Sequence, residues 1–282
     1  MAFIGASTAD DYGNCTSQIG PNACGSMGYS FVDAHNAGCV VVVTDNLVDY
    51  PCCPVSISQQ YVDYVVKVDS IGDPAKIGAG AARLTKNPRD LMIAQRTVDV
   101  MAASRRFKDG FSFQTGAGAI SIATTKYLAE RMKERGVKAS FALGGIPAAI
   151  IDMYDEGLVR VVACSQSFDA VAAQVSIVTI PVIRGRTPSI VKKVFTTCTP
   201  GETVAVVVTE AGIAPNPKHK NYQELKEDLE AAGLKLVTIE ELQQLAESMT
   251  GVPKPIETGD KVVCMVEYRD GSVVDVIRQI KK

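Results

Sequence analysis

Hydrophobic and polar positions repeat with two periods along this chain, and the switches between them mark its elements. Phe111-Ser-Phe-Gln-Thr115 alternates aromatic and polar residues, the two-residue period of a short strand. From Ile120 the period becomes helical: Ile120, Ala123, Tyr127 and Leu128 share one face of a helix running to Arg135. Gly136 ends that helix, and Lys133 and Arg135 lie in its last turn, where cations suit the negative end of the dipole. Between strand and helix stands Gly116-Ala117-Gly118. The succession repeats at Phe141-Ala-Leu-Gly144-Gly145-Ile-Pro147, followed by a helix predicted to carry Ile150, Ile151 and Tyr154 on its apolar face.

The same reading covers the rest of the chain. Cys39–Thr44 is a continuous β-branched run, the pattern of a strand buried on both faces of a parallel sheet. Further strands are predicted at Val62–Val68, Leu158–Ala163, Val175–Ile183, Val204–Thr209 and Leu234–Ile239. Helices are predicted at Tyr29–Ala37, from Pro88 after Asn87, at Tyr222–Ala232 and at Glu240–Met249. Asp10–Asn14 reads as a turn in which Gly13 and Asn14 are free to take positive φ. Asp270-Gly271 between two apolar runs predicts a hairpin of Val262–Glu267 and Val273–Ile277. Strands alternate with helices, which predicts an α/β fold with a mostly parallel sheet flanked by helices and a C-terminal β-hairpin. Gly72 to Gly80 is the loosest stretch, and the domain boundary is set near residue 80.

Composition narrows the function. With 282 residues, 46% of them hydrophobic, the chain can bury a sizeable core. A net charge of −2, mixed along the chain, argues against nucleic-acid partners. No apolar run approaches the roughly 20 residues of a membrane helix, and the first residues lack a signal-peptide pattern. Eight cysteines without a C-x-x-C pair, several in apolar strands such as Cys39 and Cys264, read as buried free thiols of a reducing cytoplasm. His35 and His219 are the only histidines, so neither a Ser-His-Asp triad nor a histidine-rich metal site is expected.

The candidate chemistry lies in the glycine corners. A strand, a glycine turn and a helix N-terminus together make an anion- or acyl-binding corner. The first helical turn presents free N–H groups, and Gly116 and Gly118 let a ligand approach the backbone. Locally, the same pattern also fits a plain βα turn. A dinucleotide site is the weaker reading, because Ser121 replaces the third glycine of G-x-G-x-x-G and no acidic residue follows at the usual distance. Other polar residues at predicted strand ends are Asp45 and Asn46, Arg184 and Arg186, and the lone carboxylate Glu210.

Taken together, a set of motifs resembles one family. Asp11-Tyr-Gly-Asn14, Val41-Val-Val-Thr-Asp-Asn46, Asp63-Tyr-Val-Val-Lys-Val-Asp69, Gln114-Thr-Gly-Ala-Gly118, Ala139-Ser-Phe-Ala-Leu-Gly-Gly145, Arg184-Gly-Arg186 and Glu267-Tyr-Arg-Asp-Gly271 follow its order. Over nearly its whole length the chain closely resembles the alpha subunit of bacterial citrate lyase, a citrate CoA-transferase. The resemblance implies a CoA-transferase-like fold, with residues 1–80 the closing portion of a first α/β domain and 81–282 a second. The second domain is shortened near 170–175: the family continues after Gln166-Ser-Phe-Asp169 through a long stretch, whereas Ala170–Gln174 runs straight into Val175.

The resemblance also implies the chemistry. Acetyl on a thioester is replaced by citryl through a mixed anhydride, releasing acetate. Related transferases use a glutamate after the Q-x-G-x-G turn; Lys138-Ala-Ser-Phe141 has no carboxylate, which suits direct attack by citrate. The site residues implied are Gln114, Gly116, Ala117, Gly118, Gly144 and Gly145 around the thioester, with Arg184, Arg186 and Asn46 for the substrate acid. No tightly bound cofactor is expected; CoA or a phosphopantetheine thioester enters as substrate. The expected partners are citrate, acetyl-CoA or the acetylated acyl-carrier subunit, the beta and gamma lyase subunits, and further copies in a homo-oligomer. A shortened chain that serves only as a scaffold is the alternative.

Overall fold

The structure, a computed structural model, describes residues 1–25, 27–73, 84–116, 118–164, 173–268 and 270–281. The first part contains β1 (Ala2–Gly5), β2 (Thr8–Asp10), β3 (Cys15–Thr16), α1 (Gly28–Asn36), β4 (Val40–Thr44), β5 (Leu47–Val48) and β6 (Tyr64–Lys67). The valine run forms β4, the centre of a parallel sheet ordered β1–β4–β6. β2 pairs antiparallel with β3 and parallel with β5. Ile4, Val40, Val42 and Ile57 are buried together with Met27 and Ala34.

The turn after β2 is organised by Asp10. Its Oδ1 accepts from the amides of Tyr12, Gly13 and Asn14 at 2.9–3.0 Å, and its Oδ2 accepts from Asn14 Nδ2 and the Cys52 amide at 2.9 Å. Gly13 takes φ +105°, as expected, but Asn14 stays at negative φ. The Asn14 side chain is engaged elsewhere, bridging Asp10 and Gln59. Cys15 and Cys52 are buried, and burial, reinforced by Cys52 and Asp10, pushes the Cys15 thiol up to about 12. Among the described residues the expectation of buried thiols fails at Cys24, Cys53, Cys198 and Cys264, which are exposed, and at half-buried Cys39.

The second part begins with α2 (Pro88–Ala103), capped by the Asn87 side chain, which accepts from the Arg89 amide at 3.0 Å. β7 (Ser112–Thr115), α3 (Ala119–Arg135), β8 (Phe141–Gly144), α4 (Ala148–Asp155) and β9 (Val162–Cys164) then form a parallel three-stranded sheet with its crossover helices. Phe113 and Ala142 pack against Val98 of α2, Leu128 and Met132 of α3, and Ile150 and Met153 of α4. Losing a buried side chain of this kind to alanine typically costs about 2–5 kcal/mol.

Next come β10 (Ile177–Thr179), β11 (Ile183–Arg184), β12 (Thr187–Pro188), β13 (Val206–Val208), β14 (Ile213–Pro215), α5 (Tyr222–Ala231) and α6 (Ile239–Thr250). β10 pairs parallel with β13, and β14 runs antiparallel on the other side of β13. Ile93 and Val100 of α2 pack on Val206 and Val208 together with Leu225 and Leu229 of α5. Helix α2 thus buries one set of residues against each sheet.

Several elements differ from expectation for identifiable reasons. The run Val175–Ile183 divides into β10 and β11 around Pro181, which has no N–H for a ladder. Leu234–Ile239 makes only the bridge Ile213–Leu236, because Thr238 turns the chain into α6 through a capping box with Glu241. The strand expected from Leu158 begins at Val162. In α4 the buried positions are Ile150 and Met153, while Ile151 and Tyr154 are exposed. The hairpin is longer than expected, β15 (Thr258–Glu267) against β16 (Val273–Ile280). The boundary near residue 80 falls outside the described residues.

Candidate active site

The register of β7 and β8 sets the site. Ser112 pairs with Phe141 and Thr115 with Gly144, so the two glycine corners leave neighbouring strands side by side. This is the carboxyl end of a parallel sheet, where α/β folds bind ligands. Gly118 is the N-cap of α3 and Pro147 the N-cap of α4. Neither helix has a side-chain cap, and neither has an acidic residue in its first turn. The amides of Ala119, Ile120 and Ser121 in α3 and of Ala148 and Ala149 in α4 have no acceptor within their own helix, whereas Ile150 donates to the Pro147 carbonyl at 2.9 Å; the positive ends of two dipoles lie together. Gly116 and Gly118 are exposed and Gly145 is half-buried, so the donors are open to a ligand.

Gly144 has a specific steric duty. It takes φ +106°, and a Cβ there would come within 2.8 Å of Gln114 Cγ and 3.0 Å of Gln114 Nε2. The Gln114 side chain therefore lies over the second corner, joining the two. Ser121 is a neighbour that the sequence reading used only to argue against a dinucleotide site. Its hydroxyl would be 3.1 Å from a Cβ on Gly116, so it occupies the first corner. Its position in the first turn of α3 was the available signal. Thr125 Oγ1 donates to Thr115 Oγ1 at 3.1 Å and to the Ser121 carbonyl at 3.0 Å, fixing α3 to the end of β7. Ala117 lies outside the described residues.

The remaining candidates stand on other elements. Asn46 follows β4; its Nδ2 donates to Thr8 Oγ1 at 3.0 Å and its amide donates to Thr44 Oγ1 at 3.2 Å. Arg184 and Arg186 are exposed at the tight turn from β11 to β12. Among the described residues, no hydrogen bond or strand pairing connects these three to the corners. Glu210 acts as a clip: Oε2 accepts from the Val182 amide at 3.0 Å, while Arg96 donates to the carbonyls of Thr209 and Glu210. His219 is buried, its Nδ1 accepts from the Asn221 amide, and burial followed by Lys220 and Arg106 pushes its pKa down. His35 lies tilted against Tyr61, with ring centroids 3.8 Å apart, and its Nδ1 is 2.7 Å from the Phe31 carbonyl oxygen.

A cavity of about 420 Å³ lies between Thr197, Pro200–Thr203 and the hairpin residues Tyr268 and Ser272–Val274. None of its lining residues belongs to β7, β8 or the glycine corners. The corners form an open surface instead, with main-chain donors at two neighbouring helix starts.

The family described as "Citrate lyase, alpha subunit (CitF)" matches residues 1–175 and 169–280. The citrate lyase alpha chain of Klebsiella pneumoniae is 41% identical over 351 positions, covering 100% of this chain and 68% of that protein. This chain belongs to the citrate lyase alpha subunit family. The Escherichia coli alpha chain is 40% identical, with the same coverage. An alpha subunit of citrate lyase from Streptococcus mutans, solved in complex with citrate, superposes with a TM-score of 0.91 at 39% identity, covering 100% of this chain and 68% of that one. A Pseudomonas malonate decarboxylase hetero-tetramer shares the fold alone, with a TM-score of 0.56 at 15% identity over 88% of this chain and 64% of that one.

The alignment has an internal feature. The Klebsiella relative spans 351 aligned positions against 282 residues here, leaving 69 positions without a counterpart in this member of the citrate lyase alpha family. The two family matches overlap at residues 169–175, so the family model is matched in two parts that meet there. Among the described residues, no helix is long and apolar enough to cross a membrane.

Proposed function

We propose that the chain is a citrate CoA-transferase, exchanging acetyl for citryl on a CoA or acyl-carrier thioester. A citrate carboxylate oxygen attacks the acetyl carbonyl carbon; the C–S bond breaks and the thiolate leaves, giving an acetyl-citryl anhydride. The thiolate then attacks the citryl carbonyl carbon; the C–O bond breaks and acetate leaves. Each step passes through an oxyanion. Amides at Gly118 and Gly145, with the first turns of α3 and α4, supply fixed donors for it. Gln114 orients the acyl oxygen or the pantetheine arm. Arg184 and Arg186 hold citrate carboxylates, and Asn46 contributes from the first part of the chain. In this reading residues 1–80 close one CoA-transferase-like domain and 81–282 form another, and the chain works in the cytoplasm with beta and gamma lyase subunits.

The observation that carries the reading is the registered pair of uncapped corners, Thr115 against Gly144, in a chain of this family. The test is to incubate the purified chain with acetyl-CoA and citrate and to measure products by mass spectrometry. Citryl-CoA and acetate are expected in equal amounts. A folded protein that forms neither overturns the proposal and leaves the scaffold.

A further inference from the structure

The connection from β14 to α5, Asn216-Pro-Lys-His-Lys-Asn221, is pinned at its first residue. Asn216 Nδ2 donates to the carbonyls of Gly201 and Val204 at 2.9 and 2.8 Å. Asn216 Oδ1 accepts from the Lys218 amide at 3.1 Å, and its carbonyl accepts from the His219 amide at 3.0 Å. Two loops are thereby fixed around a cavity of about 220 Å³, lined by Glu202 and Thr203 from one and by Lys218, His219 and Lys220 from the other. A cavity of roughly 10–15 Å³ already holds a water, so this one admits a small ion.

His219 is the unusual member of that wall. It is only 5% exposed. Its Nδ1 accepts from the Asn221 amide at 3.1 Å, so the neutral ring carries its proton on Nε2. Among the described residues Nε2 has no hydrogen-bond partner, yet it is not sealed from solvent, so the donor opens on the cavity that the ring lines. A nearly buried donor left unused is rare in a folded chain and points to a ligand. The charges around it agree. Lys218 and Lys220 are exposed, and among the described residues neither makes an ion pair. Arg106, the other cation that acts on the ring, is engaged by Glu224 and Gln174. Thr203 donates its hydroxyl to the Pro200 carbonyl at 2.7 Å, and Glu202 is the one carboxylate on the wall. Two ammonium groups and an N–H donor against one carboxylate select an anion. Lysines act as point charges and suit a charge-dense tetrahedral anion, whereas planar carboxylates favour the arginine fork.

We propose that this cavity is a phosphate-binding site, in which His219 Nε2–H donates to one phosphate oxygen while Lys218 and Lys220 neutralise the dianion. The group bound is inorganic phosphate or a terminal phosphate monoester of a larger molecule such as CoA; the chemistry of recognition is the same. The inference concerns binding and does not depend on the transferase reading.

The test follows the histidine ring resonances of the labelled full chain by NMR during titration with inorganic phosphate, and in separate arms with CoA and with dephospho-CoA. His35 and His219 are the only histidines, so His35 is the internal control. A saturable shift is expected at His219 and none at His35. Without ligand, burial followed by Lys220 and Arg106 holds the His219 pKa below its ordinary value. A bound dianion offsets that field, so saturation should raise the His219 pKa. Lys218→Ala/Lys220→Ala should weaken binding by about tenfold or more. Both side chains are exposed, so the variant should melt close to the parent, and the two single variants replace it if it fails to fold. A His219 shift with CoA but not with dephospho-CoA assigns the site to the ribose phosphate; a shift with inorganic phosphate alone assigns it to the free ion. No saturable shift at His219 with phosphate or with CoA overturns the proposal. So does a shift whose midpoint the lysine variants leave unchanged.

Discussion

Gly144→Ala tests the joint between the two corners. Two costs follow from the structure. The residue takes φ +106°, and an L side chain in such a region costs roughly 1–3 kcal/mol. The new Cβ would also meet Gln114 Cγ at 2.8 Å, forcing that flexible side chain off its place. An off-rotamer side chain costs about 0.5–1.5 kcal/mol. The expected total is about 2–4 kcal/mol, read as a drop in the urea midpoint at unchanged slope. A double-mutant cycle separates the parts. In a Gln114→Ala background the clash is gone and only the backbone strain remains, so the cost of Gly144→Ala should fall by about 1 kcal/mol. An equal cost in both backgrounds would show that Gln114 does not lie on Gly144. A neutral Gly144→Ala would refute the strain itself.

Three further outcomes follow. Arg184→Ala and Arg186→Ala should each raise the KM for citrate by about tenfold or more, from loss of a charge-assisted contact, with no change in melting temperature because both side chains are exposed. Thr238→Ala removes the acceptor of the Glu241 amide and should destabilise the chain by about 1 kcal/mol in thermal unfolding. Asp10 titrates in the acid range: burial would raise its pKa, but the amide of Cys52, then Asn14 and Tyr12, outweigh burial and hold it below the ordinary 3.8. Its contribution is therefore complete above 3.8 and is lost as pH falls through the lower folded value. Asp10→Asn should be less stable at neutral pH and should lose less stability between neutral pH and pH 2 than the parent. An identical acid profile for the two proteins would assign acid unfolding to other carboxylates.

The elements with strong local signals were legible in the sequence. The valine run at Val40–Val43 and the Asn87–Pro88 start carry strand and helix chemistry that tertiary contacts do not override. So do the two glycine corners and the Asp270-Gly271 hairpin. The corners could be read as neighbours because βα units place successive strands side by side, and the register Thr115–Gly144 agrees. Less legible were features set by partners far along the chain. β14 pairs with β13 through three residues, Ile213–Pro215, too short to show a period. Which side of α4 is buried is decided by the elements packed on it, and Met153 rather than Tyr154 joins the core. Glu210 and Arg184 looked alike as charged residues at strand ends. Only coordinates separate a carboxylate that clips the Val182 amide from a guanidinium exposed at a turn.

The central claim is that the thioester sits on main-chain donors at the paired corners. Amide NMR of the labelled full chain during titration with acetyl-CoA tests it most directly. The account predicts the largest shifts at Gly116, Gly118 and Gly145, extending into the first turns of α3 and α4. Shifts centred on Thr197–Thr203 and the hairpin cavity, with the corner amides unmoved, would contradict it.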